Sequence, residues 1–220
     1  MNKKLLYSWL VIMILAQLIG GYLAGSTAQQ YALGLLSVAY VFLVTLASKW
    51  NFVVGAVLAT CFAIIAMQSH VYGDALYQLI TVGINIFGVI AFVILSGQNR
   101  MRMILFSTKE WVCIILGAVA SFIVLLFILP LLGDPLALKD ALVFSVGLVA
   151  IYALARGYKY NFVLWILSNT VQIVLWLSTA SYSEHGLSMA LNYAVFLGNS
   201  IVGLVNWIII SKGGQHHERN

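Results

Sequence analysis

Eight long stretches without an Asp, Glu, Lys or Arg divide this chain: 5–24, 31–48, 50–69, 75–96, 111–133, 141–155, 160–183 and 186–211. A helix rises 1.5 Å per residue, so about 20 residues cross the ~30 Å of bilayer hydrocarbon. Most of the stretches reach that length; the sixth does so only if 135–138 forms its outer end. Alternating patterning of the barrel kind is absent, and the runs are too long for barrel strands. Hydrophobic residues make up 63% of the chain and charged residues 8%, against about 25% charge in soluble domains. Too few charges remain to solvate a globule. The expectation is an all-α polytopic membrane protein with eight transmembrane helices.

The placement of the charges orients the chain. Lys3, Lys4, Lys49, Arg100, Arg102, Lys109, Arg156, Lys159, Lys212 and Arg219 flank one set of span ends. Lys139 stands alone at the opposite set, beside Asp74, Asp134, Asp140 and Glu184. Both termini are therefore expected in the cytoplasm, as an even span count requires. The net charge of +5 follows from basic loops beside anionic lipid, and a nucleic-acid partner is not expected. Lys3 and Lys4 before an apolar run, with Ala24-Gly25-Ser26 after it, have the look of a secretory leader. The length of that run favours a retained span. Cys61 and Cys113 fall inside spans and read as small packing residues, while the His216-His217 pair lacks companion ligands. No metal is expected.

The chain also repeats itself. Lys49-Trp50-Asn51-Phe52-Val53 returns 110 residues later as Lys159-Tyr160-Asn161-Phe162-Val163, Tyr72 then aligns with Tyr182, and Asp74 with Glu184. With five further residues of shift, Ile86-Phe87-Gly88 matches Ile201-Val202-Gly203. Spans two to four thus correspond to spans six to eight, in the same orientation, with span five linking them. Parallel repeats of this kind face each other across a cleft that holds the substrate in many transporters. The expected organisation is an N-terminal start and extra helix (1–30), a first three-helix repeat (31–98), a loop and linking helix (99–134), a second repeat (135–211) and a tail (212–220).

Polar side chains inside hydrocarbon are costly and face a bundle interior or a cavity. Trp165, Asn169, Gln172 and Trp176 recur along one helical face of span seven. Asn192, Asn199 and Asn206 form a stripe in span eight, and Gln78, Thr81 and Asn85 one in span four. Two indoles bracketing two amides suit a flat, hydrogen-bonding ligand. Asn192 and Asn206, near span ends, read as interhelical glue. Trp9, Trp50, Trp111 and Trp207 suit the interfacial aromatic belt, and Gly20, Gly21, Gly83, Gly88 and Gly203 read as close helix packing. No ionisable residue is expected at the middle of a span, which disfavours proton-driven transport. The absence of a P-loop excludes ATP hydrolysis by this chain. Ser183-Glu184-His185 are consecutive and cannot assemble a triad. No catalytic residue and no cofactor are expected; the chain reads as a non-enzyme passing a small polar solute through the bilayer.

Residues 161–207 resemble the second half of the PnuC family of bacterial vitamin and nucleoside transporters. The resemblance rests on Trp165-Ile166, Asn169, Leu175-Trp176, Gly198-Asn199-Ser200-Ile201, Gly203, Asn206 and Trp207. Lys49 to Gly55 and Tyr72-Gly73-Asp74 give a similar cue in the first half. The resemblance implies a three-plus-one-plus-three core related to sugar-transporting SWEETs. It also implies facilitated diffusion across a bacterial cytoplasmic membrane, made unidirectional by a cytosolic kinase that phosphorylates the arriving substrate. One departure stands out: Asn85-Ile86-Phe87-Gly88 takes the place of a Gln-Pro-x-Gly stretch found in transporters of nicotinamide riboside. The expected cargo is nicotinamide riboside, with a (deoxy)ribonucleoside or thiamine as alternatives; thiamine, a cation, is disfavoured by the lack of an intramembrane carboxylate. A substrate-binding subunit of an energised importer is the alternative of another class. Expected binding positions are Trp165, Asn169, Gln172, Trp176 and Asn199, with Gln78 and Asn85 opposite. Assembly as a homo-oligomer is left open.

Overall fold

A computed structural model describes residues 3–91 and 104–217. Arg100, Arg102, Arg219 and the boundary expected at residue 98 fall outside them, as do the side chains of Lys3, Lys212, His216 and His217. The described residues form eight helices: α1 (Lys3–Leu23), α2 (Ala28–Thr45), α3 (Asn51–Gln68), α4 (Tyr72–Gly88), α5 (Thr108–Leu131), α6 (Ala137–Ala155), α7 (Asn161–Thr179) and α8 (Gly186–His217). All eight contain a stretch long and apolar enough to span a membrane. Short connections make successive helices antiparallel within α1–α4 and within α5–α8; the α4 start meets Asp140 of α6 and the α2 start meets the turn before α8, so α2, α4, α6 and α8 begin at one end of the bundle and α3, α5 and α7 at the other.

Helix starts depart from the limits of the uncharged stretches, and capping explains why. Thr27 opens α2 and Ser107 opens α5, each in a capping box with the residue three on, Gln30 and Glu110. Reciprocal bonds of this kind satisfy amide donors that the first turn leaves free. Helix α5 therefore takes up Lys109 and Glu110 in its first turn. Helices α4 and α6 likewise take in Asp74 and Asp140 in their first turns.

Asp74 and Asp140 are the main correction to the sequence reading. Both were expected in solvated flanks, yet both are 0% exposed. The Asp140 carboxylate accepts the backbone N–H groups of Gly73 and Asp74, and Asp134 accepts that of Tyr72 at 3.2 Å. Two carboxylates from around α6 thus cap α4. Glu184, aligned with Asp74 in the repeat, instead lies in the connection before α8 with its side chain 84% exposed.

Paired details recur at the spacing of the repeat. The turns before α3 and α7 each contain a left-handed residue, Ala47 (φ 51°) and Gly157 (φ 70°), 110 apart. Asn51 and Asn161 then open the next helix, each donating its side-chain amide to a carbonyl three residues back, Ser48 and Tyr158. One residue further, Phe52 lies on Gly88 and Phe162 on Gly203, so closely that a Cβ on either glycine would sit 2.3 Å from the ring. Only glycine permits that approach. Gly20 and Gly21 also meet close neighbours, Leu191 and Tyr31, whereas a Cβ on Gly83 would meet nothing within 4 Å.

Helix α1 packs on α2 and α8, to which Gln17 and Trp9 donate hydrogen bonds at Asn192 (3.0 Å) and Asn199 (3.2 Å). Trp207 is fully buried and donates to the Val44 carbonyl at 2.9 Å. Neither Trp9 nor Trp207 therefore serves the aromatic belt: each spends its N–H between helices. Trp50, at 55% exposure, is free to reach the interface. Asn206 donates to the Thr45 carbonyl at 2.8 Å. Helix α5 packs chiefly on α6 and leaves most of its surface outward. At its start, Phe106 stacks on Tyr158 (4.6 Å between centroids) and Glu110 meets Arg156 at 3.4 Å.

Candidate functional site

The Asn161 turn sets the register of α7, and from it one face of the helix runs into the bundle. That face meets α8, α2, α3 and α4 around two adjoining narrow crevices. Tyr40 of α2, Trp165 of α7 and Phe196 of α8 wall both. The first crevice adds Phe162, Asn169, Asn199 and Ser200; the second adds Gln78, Thr81, Tyr77 and Tyr193. Around it Phe62 packs against Tyr193 and Phe196, with centroids 5.9 and 6.4 Å apart. The floor of the second crevice on α3 is Gly55, Leu58 and Ala59. At the repeat spacing Gly55 stands where Trp165 stands, and Ala59 where Asn169 stands. Small residues on α3 thus leave the room that the polar face of α7 looks into.

The expected residues fall into three groups. Trp165 and Asn169 reach the crevices. The Trp165 indole nitrogen is buried without a hydrogen-bond partner, and the Asn169 side-chain carbonyl is too, although its amide donates to Ser200 at 3.1 Å. An unmet buried donor and acceptor are costly unless something occupies them, so both are free for a solute. Asn199 also lines a crevice, but both its polar atoms are engaged: Oδ1 accepts from Trp9 and Thr45, and Nδ2 donates to the Val41 carbonyl. Its bonds pin α8 to α1 and α2.

Gln78, Gln172 and Trp176 form the second group, gathered on Asp74. Gln78 Nε2 and Gln172 Nε2 donate to Asp74 Oδ1, each at 3.0 Å, and Trp176 Nε1 donates to Oδ2 at 3.0 Å. Gln78 still touches the second crevice, where its amide also donates to Tyr193 Oη at 3.1 Å. Gln172 and Trp176, 1% and 0% exposed, lie away from both crevices, so the four-residue face of α7 divides between solute space and carboxylate. Asn85 stands by itself: its amide donates to the Thr81 carbonyl at 2.9 Å, and its own oxygen lies against Gly55 without a partner.

Sequence reasoning missed Tyr40, Phe196 and Asp74. Phe196 was within reach, since it lies three residues before Asn199 on the same stripe of α8. Tyr40 carries no such signal, because an aromatic residue in an apolar helix looks like packing. Asp74, charged and next to a span end, reads from sequence as a flank residue.

The site offers aromatic walls, unmet amide and indole groups and a buried carboxylate. It brings no nucleophile, base and orienter together, and among the described residues no cluster of His, Cys, Asp or Glu gathers three metal ligands.

Residues 27–209 match the protein family described as nicotinamide mononucleotide transporter. The chain is 23% identical over 170 residues to a nicotinamide riboside transporter PnuC of Neisseria mucosa, covering 74% of this chain and 65% of that protein. It is 26% identical over 185 residues to the protein of the same name from Escherichia coli K12, covering 72% and 75%. The fold resembles the crystal structure of a vitamin B3 transporter PnuC with a TM-score of 0.80 at 19% identity, covering 96% and 94% of the two chains.

Proposed function

This chain belongs to the nicotinamide mononucleotide transporter family, and we propose from that footing that it carries nicotinamide riboside across a bacterial cytoplasmic membrane by facilitated diffusion. The observation that carries the reading is the pair of crevices walled by Tyr40, Trp165 and Phe196, with the Trp165 N–H and the Asn169 carbonyl buried and unmet at their edge. The nicotinamide ring stacks among the aromatic side chains, an interaction worth roughly 1–3 kcal/mol per base by analogy. Its carboxamide and the ribose hydroxyls meet the free indole and amide groups. The relatives named nicotinamide riboside transporter support the choice of cargo.

In this reading α2–α4 and α6–α8 are the two repeats, α5 links them, and α1 is an addition braced against α2 and α8. Both termini face the cytoplasm, which puts the Asp74 end outside. The repeats rock about the crevices to expose them to either side in turn, and phosphorylation by a cytosolic kinase traps the cargo. The test is uptake of radiolabelled nicotinamide riboside into liposomes containing only this protein. Equilibration down the gradient without an ion or pH gradient is the expected result. Uptake that needs a second protein would make the chain a binding subunit of an importer. Preferred uptake of thiamine or a deoxyribonucleoside would replace the cargo and keep the mechanism.

A further inference from the structure

A wholly buried carboxylate in a membrane-spanning helix is costly to maintain, and such groups mark function. Asp74 receives three donors, from Gln78, Gln172 and Trp176, and donates to nothing. That pattern of donors fits a carboxylate. The salt bridges among the described residues join Arg156 to Glu110 and His185 to Glu184, so no basic side chain neutralises Asp74. The side-chain carbonyl of Gln172, whose amide bonds Asp74, is itself buried without a partner.

The charge has a short route to the solute space. The Gln78 amide that bonds Asp74 also bonds the Tyr193 hydroxyl, which lies on the wall of the second crevice. Apolar and aromatic walls screen a charge weakly, so its field extends further than it would in water. The faces of Tyr40, Trp165 and Phe196 favour a delocalised cation as well. We propose that Asp74 makes this site select flat rings that carry a delocalised positive charge, pyridinium or thiazolium in type, over neutral rings of the same shape. This deepens the cargo reading above and rests on it, since nicotinamide riboside is a pyridinium. It also reverses the case against thiamine, which stood on the absence of a carboxylate.

The test compares binding of nicotinamide riboside with that of its uncharged dihydro form to the purified full-length protein by calorimetry. Wild type is expected to favour the cation by at least about tenfold. Asp74→Asn should bring the ratio near one, and Asp74→Glu, which keeps the charge, should retain most of it. Equal affinity of wild type for both forms overturns the proposal, whatever the variants do. So does a folded Asp74→Asn protein, judged by thermal unfolding, that keeps the wild-type ratio. Should wild type bind neither form, the cargo reading falls, and the charge reading is judged on thiamine against its neutral oxidation product thiochrome. Lack of preference for thiamine there overturns it too.

Discussion

Trp165 and Trp176 lie on one face of one helix, yet the structure gives them different work. Trp165 walls both crevices with its N–H unmet, so Trp165→Phe keeps an aromatic surface and removes a donor. Nicotinamide riboside should bind about fivefold more weakly, a loss of ~1 kcal/mol, while the melting temperature in detergent stays unchanged. Trp176 is fully buried and bonded to Asp74. Trp176→Ala should cost roughly 3–5 kcal/mol of stability and leave the carboxylate one donor short; the measurement is thermal unfolding. Binding lost in step with unfolding marks Trp176 as a support for the site rather than a contact in it. The periodicity of α7 was legible because only one face carries amides and indoles. The division of that face was not, because it depends on Asp74, a residue whose charge argued for solvent. Spacing along a helix tells which residues share a side, and only packing tells what waits opposite them.

At the scale of helices, two close crossings hold the bundle: Phe52 over Gly88 and Phe162 over Gly203. The added methyl of Gly203→Ala would sit 2.3 Å from the Phe162 ring, which packs edge-on against the buried Trp207, 5.4 Å away. The ring has little room to retreat. Gly203→Ala and Gly88→Ala should each lower stability by about 1–3 kcal/mol, as overpacking does, and Phe162→Leu should recover part of the first loss. Gly83→Ala meets open space and should change the melting temperature little. Helix α1 gives another prediction. Deleting residues 1–24 would strip Asn192 and Asn199 of their bonds from Gln17 and Trp9, and the shortened protein should melt at a lower temperature than the full chain. The spans themselves were readable because a bilayer penalises charge so steeply that uncharged runs trace them. Their starts were less so: at α4, α5 and α6 the first turn takes in charged residues that caps, the dipole or burial accommodate.

Across the whole molecule, hydrogen bonds join α2–α4 to α6–α8 at both ends of the bundle. At one end Ser69 meets Ser183 at 2.8 Å, and the Gln30 amide donates to the Glu184 carbonyl at 3.3 Å. At the other, Asn206 and Trp207 donate to the carbonyls of Thr45 and Val44. A rocking carrier must release these sets in turn. Ser69→Cys with Ser183→Cys, in a protein whose Cys61 and Cys113 are replaced by Ala, should form a disulfide under oxidant. Liposome uptake should then stop and return on reduction; unchanged uptake with the bond formed would show that this end need not open. The repeat in the sequence points to two corresponding sets of helices, but it gives no sign of how they differ around the crevices. Gly55 and Ala59 occupy the places where the other set has Trp165 and Asn169. Two matching walls would accept a flat guest either way round. In the reading proposed above, the Trp165 and Asn169 groups on α7 facing small residues on α3 give the guest a preferred pose, with the same face toward α7 from entry to release. A chemical tag on its other face should therefore pass with the least hindrance.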